Sequence, residues 1–366
     1  MQGRTRLKRQ TLTIDVRPLF DDQWTGIPIF TGRLITAVRR EGSIAVEFSF
    51  EGKRIPSDPV LRAIQRGSGT YLRDEIKASF ASSCEKIHRN SQLLFPSVKH
   101  RFGQAAREAS TVHDLSTLFM PETHEDANVA HHIGTLQKEL DSDDVIFCVS
   151  EATRAALVSA FPSVAAKAKV LYQFVEWPEE FASFDRNLPS LRLGPYAVVV
   201  GTIEPRKNLK LIVNALSSRE IARSDMRFIV IGRKGWLVDR FLTELTDRQC
   251  ERLLFTGFVS EFTKYRLIRN AEFLVYPSLY EGFGIPALEA MSLGKPVLAA
   301  RTSSFPEIIG EAGIYFDPLS TVEFAAAFNE IRNPRKLAEL APKALAQSAR
   351  FDWRQMAKPV VDWARG

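Results

Sequence analysis

Cysteine is scarce in this 366-residue chain: Cys84, Cys148 and Cys250 lie far apart, with no CxxC pair. That sets aside a disulfide framework and a thiolate zinc site. No apolar run approaches the length of a membrane span, and the opening MQGRTRLKRQ is basic without the apolar stretch of a signal peptide. The expected compartment is therefore the cytoplasm. No basic stripe interleaved with aromatics and no nucleic-acid motif is present, so nucleic acid is not an expected partner. His113, His124, Glu125, His131 and His132 come nearest to a metal cluster, but their spacing matches no helical ligand motif, and no metal is expected.

What is present reads as an ordinary globular protein, with 45% hydrophobic and 25% charged residues. The length suits two domains. The net charge of +6 gathers in the first third, where Arg4, Arg6, Lys8 and Arg9 are followed by Lys53, Arg54, Arg62, Arg66, Arg73, Lys77, Lys86, Arg89, Lys99, Arg101 and Arg107. Such a face can meet anionic lipid headgroups or a diphosphate-linked acceptor at the inner face of a membrane; a solvated surface without a partner is the alternative.

The chain is organised around Phe273 to Ala300, FLVYPSLYEGFGIPALEAMSLGKPVLAA. An apolar run rich in strand formers stops at Pro277, and a loop carrying Glu281, Gly282 and Gly284 follows. Ile285 to Met291 has helical spacing with a proline in its first turn, Gly294 suits the cap, and Lys295 to Ala300 resumes a strand. Strand, glycine loop, helix and strand make a parallel βαβ crossover. Glycines allow close main-chain approach, and a helix start favours an anion. Glu281 and Glu289 bracket that anion site and suit hydroxyls. A ligand with a central diphosphate and a hydroxyl-rich ring at each end matches, and nucleotide sugars have that shape. The plain alternative is a tight turn with two carboxylates complementing the helix dipole.

The run EGFGIPALE, Glu281 to Glu289, resembles the E-x7-E motif of retaining GT-B glycosyltransferases of family 4, the "group 1" class. Other segments resemble the same family in the right order: TVHDL with PE (Thr111 to Leu115, Pro121 and Glu122), SEATR (Ser150 to Arg154), GTIEPRKN (Gly201 to Asn208), GRKGW (Gly232 to Trp236), GFVS (Gly257 to Ser260) and the loop Arg301 to Glu307. The resemblance implies that Glu281 holds the donor sugar and Glu289 the ribose, with Gly282, Phe283 and Gly284 offering main-chain amides. It implies that Arg206 and Lys207 grip the diphosphate, that Val259 and Ser260 meet the base through the main chain, and that His113 lies in the cleft beside the sugar. Of the first glycine loop only Gly26 carries over, because the family's TGIGRY-like run is replaced here by TGIPIF.

The expected architecture is α/β: two doubly wound Rossmann-like domains facing a cleft. Residues 1–185 form the acceptor-side domain, 186–350 the donor domain, and 351–366 a terminal helix that crosses back. Val170 to Phe174 reads as the last strand of the first half and Glu176 to Pro195 as a linker without periodicity. Trp353 and Trp363 read as packing residues. The implied activity is retaining transfer without metal or other cofactor, with Glu281, His113, Arg206 and Lys207 as the catalytic set. The resemblance is strongest to bacterial mannosyltransferases of surface polysaccharides. GDP-mannose is the first-choice donor, UDP- and dTDP-sugars are the other options, and the acceptor is lipid-linked or saccharide. An epimerase of the same fold and a catalytically silent sugar-nucleotide binder are the competing readings.

Overall fold

The structure, a computed structural model, describes residues 10–80, 85–88 and 90–366. Arg4, Arg6, Lys8, Arg9, Cys84 and Arg89 lie outside the described residues. The first sheet contains β1 (Thr11–Asp15), β2 (Ala45–Phe50), β3 (Lys53–Ile55), β4 (Gln92–Phe95), β5 (Arg107–Val112), β6 (Val145–Cys148) and β7 (Ala168–Val170). Their order is β3-β2-β1-β4-β5-β6-β7, and every pairing is parallel except the β2–β3 hairpin. The second sheet contains β8 (Tyr196–Val200), β9 (Arg227–Ile231), β10 (Leu253–Gly257), β11 (Leu274–Tyr276), β12 (Val297–Ala300) and β13 (Gly313–Phe316), ordered β10-β9-β8-β11-β12-β13 and parallel throughout. Helices cover both faces, so central strands such as Tyr196–Val200 are buried along their whole length and read as unbroken apolar runs. In each sheet the strand order reverses once, between β1 and β4 and between β8 and β11. Ligands bind beyond the strand ends at such reversals.

Two sequence expectations are corrected. The last strand of the first sheet is Ala168–Val170, and Leu171 to Phe174 runs on beyond the sheet while Leu171 and Phe174 stay buried. An apolar run looks strand-like wherever it is buried, whether or not a neighbouring strand pairs with it. The stretch expected to lack periodicity contains the helix Glu179–Arg186. It docks on the second domain: the Phe181 ring meets Phe262 and Tyr265 at 5.2 and 5.5 Å, and Asp185 binds Arg266 at 2.8 Å. The chain has thus changed domains before Glu179, a few residues ahead of the expected boundary.

The terminal helix Trp353–Arg365 packs along Gly26–Glu41 of the first domain. Trp363 stands edge-on to Phe147, Arg107 lies over Trp363, and Arg40 over Trp353, so both tryptophans pack. The first domain is also less basic on its surface than its composition suggests. Arg62 and Arg66 pair with Glu75, Arg54 with Glu47 and Glu85, and Arg101 with Glu51. Lys99 is fully buried at the end of the sheet away from the strand carboxyl ends, bound to Glu108 at 3.0 Å and Asp143 at 2.5 Å. Beside it, burial and then the Asp143 charge push the Glu139 carboxyl up to about 7, and burial pushes Asp143 up to about 6.

Candidate active site

The carboxyl ends of both sheets face each other across a cleft of about 400 Å³. Its lining includes Gly26, His113, Arg206, Lys207, Val259, Glu281, Gly282, Phe283, Gly284 and Glu289. Local sequence explains the donor-side walls. Strand β8 ends at Val200, just before Gly201, and the Pro205–Lys207 turn then presents the basic pair. Strand β11 ends before Pro277, and Gly284, with φ +99°, turns the chain into the short helix Ile285–Met291, which has Pro286 in its first turn.

Glu281 sits 8% exposed between both cations. Arg206 reaches its Oε2 at 3.2 Å, and the Lys207 ammonium pairs with its Oε1. Burial alone would lift the Glu281 pKa, but the charges of Lys207 and then Arg206 hold it below the usual carboxylate value. It is a carboxylate, able to accept hydrogen bonds from hydroxyls. Arg206 is held in place by Glu204 at 2.7 Å and by the Tyr280 carbonyl at 2.7 Å. Its Nε is buried without a partner. Despite the cost of burial, the Glu281, Asp114 and Glu204 charges raise its pKa further. Arg233 also lines the cleft and is exposed.

Glu289, 1% exposed, sits one helical turn below the loop. Lys264 of the helix Glu261–Asn270 binds its Oε1 at 2.9 Å, and Arg33 of the first domain reaches the same oxygen at 3.4 Å. Burial opposes the charge on Lys264, yet Glu289 and Glu261 raise its pKa. The ribose carboxylate implied by the resemblance is therefore anchored by two cations before any ligand arrives.

His113 closes the cleft from the other domain. Its Nε2 lies 2.7 Å from the Pro96 carbonyl, which can only accept, so that nitrogen carries the proton. Burial lowers its pKa in spite of Pro96 and Asp114. The ring is neutral, and its Nδ1 is left as an acceptor. The two domains touch here: a β-carbon on Gly282 would stand 1.6 Å from the His113 carbonyl oxygen, so this position admits only glycine. Asp114 also lines the cleft. Its burial is outweighed by Arg206 and by the Ser116 hydrogen bonds, which lower its pKa.

Of the residues named from the sequence, Ser260 alone lies off the cleft wall. Its hydroxyl caps the helix Glu261–Asn270 by accepting from Thr263 N. Glu204, Asp114, Lys264 and Arg33 were missed. Glu204 stands inside the GTIEPRKN run, a signal that was available; Lys264 and Arg33 lie on helices, where local sequence does not mark a buried partner. Among the described residues no group of three or more His, Cys, Asp or Glu is placed to hold a metal ion. No helix among them is long and apolar enough to cross a membrane.

Residues 194–333 match the family "Glycosyl transferases group 1". The O-antigen chain mannosyltransferase B of Escherichia coli is 31% identical over 266 residues, covering 70% of this chain and 69% of that protein. The serotype-specific mannosyltransferase WbdA of Escherichia coli is 27% identical over 264 residues, covering 68% of this chain and 32% of that longer protein. Among solved structures, sucrose-phosphate synthase from Thermosynechococcus elongatus superposes with a TM-score of 0.70 at 17% identity, over 98% of both chains. Anabaena HepE in complex with UDP-glucose gives 0.67 at 16% identity, over 98% of this chain and 100% of that one. At these identities the structural likeness speaks to the fold, which is the GT-B arrangement of two facing Rossmann-like domains.

Proposed function

The chain belongs to the group 1 glycosyltransferases, and on that premise we propose that it moves mannose from GDP-mannose to a saccharide acceptor carried on a lipid, in the synthesis of a bacterial surface polysaccharide. The observation that carries this reading is Glu281 clasped between Arg206 and Lys207 at the reversal of the second sheet. A sugar-holding carboxylate beside two cations fits a sugar joined to a diphosphate. The choice of mannose is supported by the relatives, which are named as mannosyltransferases. Exposed Arg73 and Lys77 support a first domain that meets an anionic lipid surface.

In this mechanism the bond from the sugar's anomeric carbon to the phosphate oxygen breaks, and the acceptor oxygen bonds to the same face. The departing phosphate takes the acceptor's proton, so configuration is retained. Arg206 and Lys207 stabilise the charge that grows on the diphosphate, the role a divalent metal plays in other transferases. Neutral His113 accepts a hydrogen bond from a sugar hydroxyl through Nδ1. Closing the cleft excludes water from a donor that would otherwise hydrolyse.

The test is thermal stabilisation by GDP, UDP, dTDP and their sugar conjugates, followed by turnover with and without acceptor in EDTA. A shift confined to GDP and GDP-mannose, with acceptor-dependent and EDTA-insensitive turnover, is expected. A shift with another nucleotide discards mannose. Conversion of donor without acceptor points to an epimerase, and no shift with any nucleotide removes the reading.

A further inference from the structure

One short segment of the second domain grips both the donor loop and the first domain. Ser303 Oγ accepts from the Glu281 amide at 2.9 Å, and Ser304 Oγ lies 3.0 Å from the carbonyls of both Glu281 and Phe283. Three residues on, in the helix Phe305–Ile309, the Glu307 carboxylate crosses to the first domain. Its two oxygens accept from the Glu151 and Ala152 amides at 2.8 and 3.0 Å, at the start of the helix Glu151–Ala160. That helix start is where Ser150 and Thr153, both fully buried, direct their hydroxyls at the Gly282 carbonyl, at 2.5 and 3.0 Å. A closed ring of contacts results: donor loop, Ser303–Glu307 segment, helix start of the other domain, donor loop again.

A carboxylate at a helix start satisfies amides that would otherwise lack partners and complements the helix dipole. Here the carboxylate comes from the opposite domain, so its hydrogen bonds exist only when the cleft is shut. We propose that Glu307 is a positioning residue for the transfer, coupling domain closure to the placement of the Glu281–Gly284 loop against His113. Glu307 does not line the cleft and touches no substrate. Its effect reaches the chemistry through Ser150, Thr153 and Gly282.

The inference rests on the transfer reading only for its kinetic arm. Hydrogen exchange of the full chain tests the coupling without any donor. In Glu307→Ala, exchange is expected to quicken by roughly tenfold or more at Glu151 and Ala152, where the loss of two hydrogen bonds to a charged acceptor weakens protection. It should also quicken at residues 281–284, with Glu307→Gln intermediate and β8 unchanged. Unaltered exchange at 281–284 overturns the coupling. In turnover, Glu307→Ala should lose about 10- to 100-fold in kcat, the scale of a small misplacement of reacting groups. The nucleotide dissociation constant should stay within about threefold, since Arg206, Lys207, Lys264 and Glu289 stay in place. Donor hydrolysis per transfer event should rise several-fold. That ratio does not depend on how much protein is folded, so a merely structural loss leaves it fixed, and a fixed ratio also overturns the proposal. If the unaltered chain transfers from no nucleotide sugar at all, the functional reading falls, while the exchange result still decides the coupling.

Discussion

Replacing Lys207 by alanine separates the two duties of the basic pair. In the intact protein Lys207 and Arg206 share the Glu281 carboxylate, and Lys207 exerts the larger electrostatic pull on it. In the Lys207→Ala protein Arg206 still reaches Glu281, so the buried carboxylate keeps a partner, and the expected loss of stability is about 1–3 kcal/mol. Catalysis should suffer more. Two unit charges about 4 Å apart interact by roughly 4 kcal/mol at an effective dielectric near 20, so removing one cation from the growing diphosphate charge should lower kcat/KM by about 10²- to 10³-fold. The pH profile supplies a second signature. A depressed folded pKa contributes stability above the unfolded carboxyl value near 4.5 that is lost as pH falls through the folded value. Without Lys207, burial lifts the Glu281 pKa, and the acidic fall of kcat/KM should begin at higher pH. Initial rates of nucleoside diphosphate release between pH 4.5 and 8, with a melting curve for each protein, measure all three effects. A folded Lys207→Ala protein with kcat/KM within about threefold of the original, and an unmoved acidic limb, would refute the role given to Lys207.

Gly282→Ala places a β-carbon against the His113 carbonyl oxygen, so the domains must part. Transfer should fall by at least about 100-fold while calorimetric nucleotide binding persists, and retained transfer would mean that closure at this contact is dispensable. Glu139→Gln probes the buried cluster far from the cleft. Because the folded Glu139 pKa is raised to about 7, stability falls as pH climbs from the unfolded value of 4.5 through 7. The amide removes that dependence, so Glu139→Gln should be the more stable protein at pH 8, by about 1–3 kcal/mol in urea unfolding, with the advantage vanishing near pH 5. An equal difference at both pH values would show that Glu139 does not titrate in the folded state.

The donor loop was legible in the sequence because its determinants are local. Pro277, Gly284 and Pro286 dictate where strand, turn and helix meet, and the strand order then carries Glu281 to the basic pair. What stayed hidden depends on distant packing. Lys264 meets Glu289 across 25 positions, and Arg33 meets it across 256. A lysine or arginine on an amphipathic helix carries no local sign of which it will be, a solvated charge or a buried partner. Lys99 makes the same point from the other side: counted as part of a basic face, it is sealed among carboxylates. The helix Glu179–Arg186 went unseen because the prolines on either side interrupt the pattern that its one aromatic face would otherwise supply. The proton on His113 Nε2 follows from the Pro96 carbonyl, a neighbour brought up by tertiary folding.

The chain passes between the domains twice, once after Phe174 and once ahead of the terminal helix, and the two passages lie side by side, with the rings of Tyr172 and Phe351 5.5 Å apart. A single tether would act as a swivel, letting the halves twist as freely as they part. Two adjacent tethers behave like a door hung on paired pins: swinging is easy, while torsion strains one strand against the other. Halves parted on such an axis close again in register, Gly282 against His113 and Glu307 against the start of Glu151–Ala160. The last 14 residues, which contribute nothing to the cleft lining, help set the axis on which it shuts.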